Sequence, residues 1–326
     1  MQGRKKIAVT MGDPAGIGPE VVLRALMSKD VLEVCSPVVI GDRAVLEEAS
    51  ESMQLGSPFN KGAVLIDIAE IADRDFPRNR PSVVGGRASV AYIKNAVELA
   101  VKGEVDAVVT APITKEALKI AGFPWPGHTE MLAEFTGAAD YAMMLCGGPL
   151  RVILVTIHTA LKDVAGLITA KGVLKTILLA KRACDMLGIK HPRIAVAGLN
   201  PHAGESCLFG KEERDAIIPA VETARSRGIN LSGPYPADAL FHRAYKGEFD
   251  IVVCMYHDQG LIPLKMIAFD TGVNVTVGLP IIRTSSDHGT AYDIAWQGKA
   301  NPSSMIEAIK LAAVLKLPSP VGPPVA

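Results

Sequence analysis

Short, wholly apolar runs rich in Val, Ile and Ala recur along this chain, most of them followed by a longer stretch with helical spacing. The strand-like runs cover residues 7–10, 38–40, 63–66, 107–110, 152–157, 194–197 and 251–254. Between them, residues 19–27, 87–101, 114–121, 170–187 and 212–227 space Leu, Ile and Val at about 3.6 residues in Ala-rich sequence. A strand that is apolar on both faces must be covered on both faces, and intervening helices supply the crossover that parallel pairing requires. The pattern predicts an α/β fold with mainly parallel sheets. A length of 326 residues allows one large domain or two ordinary ones. Residues 56–80 carry the weakest pattern, and the Pro-rich tail from Leu317 is expected to fray.

Charge and composition exclude several classes of function. Lys+Arg and Asp+Glu both number 34, and aromatic residues make up 5%. A nucleic-acid binder usually has a basic field and stacking rings, and this chain has neither. Any anionic ligand must therefore be met by a local group of charge. The apolar run after the basic start, residues 7–11, stops at Gly12-Asp13-Pro14, too short for an export signal. The apolar region 141–157 is broken by Gly147-Gly148-Pro149 and Arg151, so no membrane span is expected. Five cysteines without a CxxC pair read as reduced core thiols of a cytoplasmic protein.

Three histidines follow apolar runs in the same way: His158 after 152–157, His202 after 194–197 and His257 after 251–254. If those runs are parallel strands, all three imidazoles lie at carboxyl ends of one sheet, where α/β proteins bind ligands. Three neutral imidazoles suffice for a divalent metal with an open position. Asp163, Asn200, Glu205 and Asp258 lie near enough in sequence to hold the rings. The plainer reading is that each histidine merely ends a strand.

A second group suits an oxyanion. Gly127-His128-Thr129-Glu130 opens a helix and offers free backbone amides, a hydroxyl and an imidazole. Lys265, Asn274 and Arg283 are set in otherwise apolar sequence. They serve a phosphorylated or carboxylated substrate, or they pair internally with Asp258, Asp270 or Asp287. The Gly-rich segment 12–20 is neither GxGxxG nor a P-loop, and by itself is a tight strand-to-helix turn. Residues 287–295 followed by 298–302 read as a polar loop entering a helix.

In these motifs the chain resembles the 4-hydroxythreonine-4-phosphate dehydrogenase family of vitamin B6 biosynthesis. The matching stretches are 11–20, 127–130, 199–205, 255–260, 272–280 and 283–291. The resemblance implies a divalent metal (zinc, cobalt or magnesium) on His158, His202 and His257, in a site shared across a homodimer. It implies substrate contacts at His128, Thr129, Lys265, Asn274 and Arg283, with Asp238 in the same set. A looser similarity to isocitrate and isopropylmalate dehydrogenases implies NAD binding by Gly12, Asp13, Gly16 and Gly18 together with Asp287, His288, Gly289, Thr290 and Asp293. With it comes an expected division into a discontinuous NAD-binding domain, 1–130 plus 275–326, and a central metal, substrate and dimerisation domain, 131–274. The active site is then expected in the cleft between the two domains. The two acidic residues of that loop, with no Arg or Lys before Lys299, are expected to disfavour NADP.

The activity implied is oxidation of a small phosphorylated hydroxy acid by NAD, followed by loss of carbon dioxide from the β-keto acid. Lys265 or a water beside Asp258 stands as the candidate base. The substrate is 4-hydroxy-L-threonine 4-phosphate or, in a sister branch, D-threonate or D-erythronate 4-phosphate. Ala239, Thr159-Ala160-Leu161 and Trp296-Gln297 depart from the B6 pattern and keep that branch open. A metal-dependent lyase or binding protein without nucleotide is the alternative from another class, and the loop 287–302 argues against it.

Overall fold

The computed structural model describes residues 4–57, 59, 62–71 and 75–317. The tail expected to fray lies, beyond Leu317, outside the described residues, as do the first three residues and parts of the weakly patterned 56–80 segment. The chain divides into two compact units, Met1–Ala139 with Leu279–Val314, and Asp140–Gly278 with the residues from Leu315 on.

The first unit contains β1 (Lys5–Thr10), β2 (Cys35–Gly41), β3 (Val64–Asp67), β4 (Ala107–Thr110) and, from the far end of the sequence, a strand at Arg283–Ser286. They pair in parallel in the order β3-β2-β1-β4 and then Arg283–Ser286. All four residues of β4, and the last four of β1, are buried, as a strand covered by helices on both faces requires. The helix Val83–Val101 is capped by Ser82, whose hydroxyl accepts from the Gly85 amide. Gly86 in that helix lies so close to the helix Lys115–Ile120 that a Cβ would meet the Ala117 carbonyl oxygen at 2.3 Å.

The second unit contains β5 (Ala142–Gly147), β6 (Leu150–Leu154), β7 (Ile194–Ala197), β8 (Leu231–Tyr235), β9 (Ile251–Cys254) and β10 (Val273–Val277); Arg283–Ser286 is thus β11. Their order is β10-β5-β6-β9-β7-β8. Pairing is antiparallel for β10 with β5 and for β5 with β6, and parallel for the rest. Gly148-Pro149, a break in the apolar run, is the turn of the β5–β6 hairpin, with Gly148 at φ 52°. Met143, Leu145, Val152, Leu154, Val252 and Leu264 pack into its core, each such side chain contributing roughly 1.5–3 kcal/mol.

Several expectations need correction. The run 152–157 is a strand only to Leu154, and 212–227 is not one α-helix. It opens with a π-turn, Glu213–Ile217, before the helix Ile218–Ser226, because Pro219 has no N–H to continue the ladder. Residues 292–298 form turns, and the helix after them begins only at Ser303. No helix among the described residues is long and apolar enough to cross a membrane.

Candidate active site

In the second unit, His158, His202 and His257 all follow the carboxyl ends of strands that are direct neighbours, β6, β7 and β9. Two of them meet: the ring centroids of His158 and His257 are 6.0 Å apart. They line a cavity of about 290 Å³ with Ile157, Thr159, Leu161, Val164, Tyr256 and Asp258. Asp258 Oδ1 lies 2.7 Å from His257 Nδ1. With Nδ1 facing that carboxylate, the ring's Nε2 is the nitrogen left for another partner. Lys265 sits two turns further along the helix His257–Ala268, on the same face, and lines a second hollow with His257 and Asp258.

His202 stands apart, on a loop where residues 202 to 207 all have positive φ. Left-handed backbone costs non-Gly residues about 1–2 kcal/mol each, so such a run needs support. Buried Glu213 supplies it. Its Oε1 accepts from the amides of Leu199 and Asn200, both at 2.7 Å, and its Oε2 accepts from Asn200 Nδ2 at 2.9 Å. Gln259 adds a second brace, accepting from the Met255 amide and donating to the Gly198 carbonyl. Asn200 thus braces the loop and not a ring. Sequence reasoning missed Glu213 and Gln259; Gln259 was in plain view beside His257-Asp258. Among the described residues, no three His, Cys, Asp or Glu side chains of one chain come together as a metal site.

Asn274, on β10, has a buried Oδ1 with no hydrogen-bond partner. Such an atom costs about 1–3 kcal/mol unless something fills its place, and so points to a ligand. Asp238 is exposed in the first turn of the helix Ala237–Tyr245 and does not line the two-histidine cavity.

In the first unit, His128 and Thr129 open the helix His128–Thr136 behind Gly127, which provides no side-chain cap. His128 Nε2 is buried and has no partner. Burial and then the nearby Arg283 cation hold its pKa well below 6.5, while a hydrogen bond with the Ala111 backbone opposes them. The ring is therefore neutral. Arg283 is 1% exposed, and its Nη2 donates to Thr110 Oγ1 at 2.7 Å. Burial pushes its pKa down to about 9.

The Gly-rich turn and the 287–298 loop are stapled together. Tyr292 Oη donates to Asp13 Oδ2 at 2.6 Å, Asp13 Oδ1 accepts from the Ala15 amide, and the Ile17 amide donates to the Thr290 carbonyl. Trp296 Nε1 donates to the Pro14 carbonyl at 3.0 Å, and Glu20 receives the Trp296 and Gly298 amides. Burial pushes the Asp13 carboxyl up, against its bond from Tyr292.

Gly12, Asp13, Gly16 and Gly18 are all buried and shape the turn. A Cβ on Gly18 would meet the Met11 carbonyl oxygen at 2.2 Å. The accessible rim is Asp287, His288, Gly289 and Asp293, with Thr290 only 8% exposed. Two cations from elsewhere in the sequence stand beside this loop. Arg24 donates to the Gly298 carbonyl, and Arg78 stacks 4.8 Å from the Trp296 ring while pairing with both oxygens of Glu48.

Each unit thus holds a buried polar side-chain atom without a hydrogen-bond partner, His128 Nε2 in the first and Asn274 Oδ1 in the second. The comparisons sharpen this to one family. The family model described as pyridoxal phosphate biosynthetic protein PdxA matches residues 33–312, and the chain belongs to that family. It is 49% identical to the 4-hydroxythreonine-4-phosphate dehydrogenase of Desulforapulum autotrophicum over 95% of each chain. It is 47% identical to the D-threonate 4-phosphate dehydrogenase of Cupriavidus necator, over 95% of this chain and 96% of that one. The crystal structure of the Klebsiella pneumoniae 4-hydroxythreonine-4-phosphate dehydrogenase superposes with a TM-score of 0.86 at 42% identity, covering 94% of this chain and 98% of that one. The chain is an oxidoreductase acting on a CH–OH group, with decarboxylation in the reaction.

Proposed function

We propose that the chain oxidises 4-hydroxy-L-threonine 4-phosphate with NAD and a divalent metal, and that the product loses carbon dioxide to give 3-amino-2-oxopropyl phosphate. The observation that carries this is the near-full-length likeness to dehydrogenases of that name, at up to 49% identity. D-threonate 4-phosphate is the second reading, favoured by relatives named for it at 45–47% identity.

In this reading Arg283 and the free amides at the start of the helix His128–Thr136 hold an oxyanion of the substrate. Neutral His128 accepts a hydrogen bond at Nε2, and Thr129 donates one. Asn274 Oδ1 takes a donor from the substrate, which satisfies its buried oxygen. His158 and His257 hold the metal from one chain, and Asp258 fixes the His257 ring with Nε2 outward. A divalent ion there supplies Lewis-acid polarisation of the substrate's alcohol oxygen. Imidazole donors favour zinc or cobalt over magnesium. Lys265, on the His257 face of its helix, is our candidate for moving the alcohol proton. The rim of the 287–298 loop receives the adenosine of NAD.

His202 joins the site from a second copy of the chain. The support is its separation from the other two rings, together with exposed Ile262 and Met266 beside His257 on its helix, 59% and 81% accessible in a single chain. The test is NADH formation from each phosphorylated acid with metal-loaded protein, with product mass recorded. Turnover of one acid by more than about tenfold in kcat/KM assigns the substrate. No NADH from either overturns the reading, and product without NADH would indicate a lyase.

A further inference from the structure

The substrate residues of the first unit stand on a row of hydroxyls. Thr10 on β1, Thr110 on β4 and Ser285 on β11 are register partners across three parallel strands. All three side chains therefore share one face of the sheet at its carboxyl edge. Arg283 is two residues before Ser285, so its side chain leaves β11 on that same face. Its guanidinium reaches the row and donates to Thr110 Oγ1, a residue with no exposed surface. Thr10 is equally buried, and its Oγ1 has no partner.

We infer that Thr110 is a positioning residue for substrate binding, which fixes the Arg283 guanidinium against the sheet edge in the orientation that meets a substrate oxyanion. A guanidinium has rotatable bonds along its whole stem, and a buried acceptor at 2.7 Å removes that freedom before the ligand arrives. The hydroxyl is suited to the task because it is neutral. A carboxylate in its place would pair with the cation and compete with the substrate. The inference rests on Arg283 being a substrate contact.

The test uses the metal-loaded enzyme, and Thr110→Val, Thr110→Ser, Thr10→Val and Arg283→Met. Affinities for inorganic phosphate and for the unphosphorylated hydroxy acid are measured separately by calorimetry, alongside KM and kcat. Thr110→Val keeps the shape and removes the acceptor. It should raise the substrate KM about tenfold and weaken one of the two probes similarly, with the NAD KM and kcat within about twofold. Whichever probe weakens identifies the oxyanion, phosphate or carboxylate, that Arg283 holds. Thr110→Ser should restore both constants, and Thr10→Val, the same change in the same row, should leave them alone.

If Thr110→Val leaves the substrate KM and both probe affinities unchanged, or if Thr110→Ser is as impaired as Thr110→Val, the inference is wrong. Should Thr110→Val fail to fold, Thr110→Ala takes its place with the same expectations. Arg283→Met separates the two levels of the argument. If it weakens a probe while the Thr110 variants do not, only the positioning role falls. If it weakens neither probe and leaves KM unchanged, Arg283 is not a substrate contact.

Discussion

Replacing Arg283 by Met should make the ligand-free protein more stable while disabling it. The guanidinium is 1% exposed, and burial takes its pKa from the usual value above 12 to about 9. At about 1.4 kcal/mol per pKa unit, the charged form is disfavoured by on the order of 5 kcal/mol relative to water. Methionine keeps the aliphatic stem and removes the charge. It also forfeits the bond to Thr110, worth about 2 kcal/mol for a charged donor. The expected net gain is about 3 kcal/mol. Urea unfolding of both proteins without ligand measures it. A second series with inorganic phosphate completes the argument. Phosphate at a hundred times its Kd should stabilise the wild-type protein by about 2.7 kcal/mol and the variant hardly at all. A ligand-free variant less stable than the wild type would show that the cation is fully compensated inside the protein, and the reasoning would be wrong.

Three further outcomes are expected. Inactive His158→Ala, His202→Ala and His257→Ala chains should complement in mixtures of His202→Ala with either other variant, while His158→Ala with His257→Ala stays dead; recovery in that last mixture would contradict the pairing of those two rings in one chain. Tyr292→Phe removes the bond to Asp13 and should raise the KM for NAD several-fold, for about 1 kcal/mol, with the substrate KM little changed; an unaltered NAD KM would separate this staple from cofactor binding. His128 should give a pH signature in stability. Its folded pKa is held well below 6.5, so as pH falls through 6.5 the unfolded chain gains a proton that the folded chain refuses, and stability drops. Above that pH the contribution is level. Subtracting the unfolding profile of His128→Gln should isolate this slope, and identical profiles would count against a depressed pKa.

Most of the buried strands rich in Val and Ile were legible as unbroken apolar runs, whereas β5, Ala-Met-Met-Leu-Cys-Gly, was not, because its residues carry little strand preference. β11 was not, because Arg-Thr-Ser-Ser is polar in sequence and buried in fact. β8 hides for a related reason, since Leu-Ser-Gly-Pro-Tyr looks like a turn. The strand-end histidines could be read from their spacing after apolar runs, yet their partition into a pair and an outlier could not. That depends on a loop held left-handed by Glu213, fourteen residues from Leu199. Nor could the sequence reveal that Arg24 and Arg78 stand beside a loop more than 200 residues away. Pairings at that separation follow from topology, not from local pattern.

The discontinuity of the first unit has a consequence for biosynthesis. β11 and the helix Ser303–Val314 that packs on it, on β4 and on β1 are made last, after every strand of the second unit. The ribosome therefore releases the opening 139 residues as a half-covered sheet. The middle segment, nearly contiguous, can fold as soon as it emerges, but the opening segment must wait for its missing layer. During that interval β4, although paired with β1 and packed by the helix Val83–Val101, lacks both β11 on its open edge and the helix Ser303–Val314. Such a surface is what chaperones recognise and what aggregation exploits. Expression at reduced translation temperature, or with chaperones in excess, should accordingly raise the yield of folded protein more than any stabilising change within the middle segment.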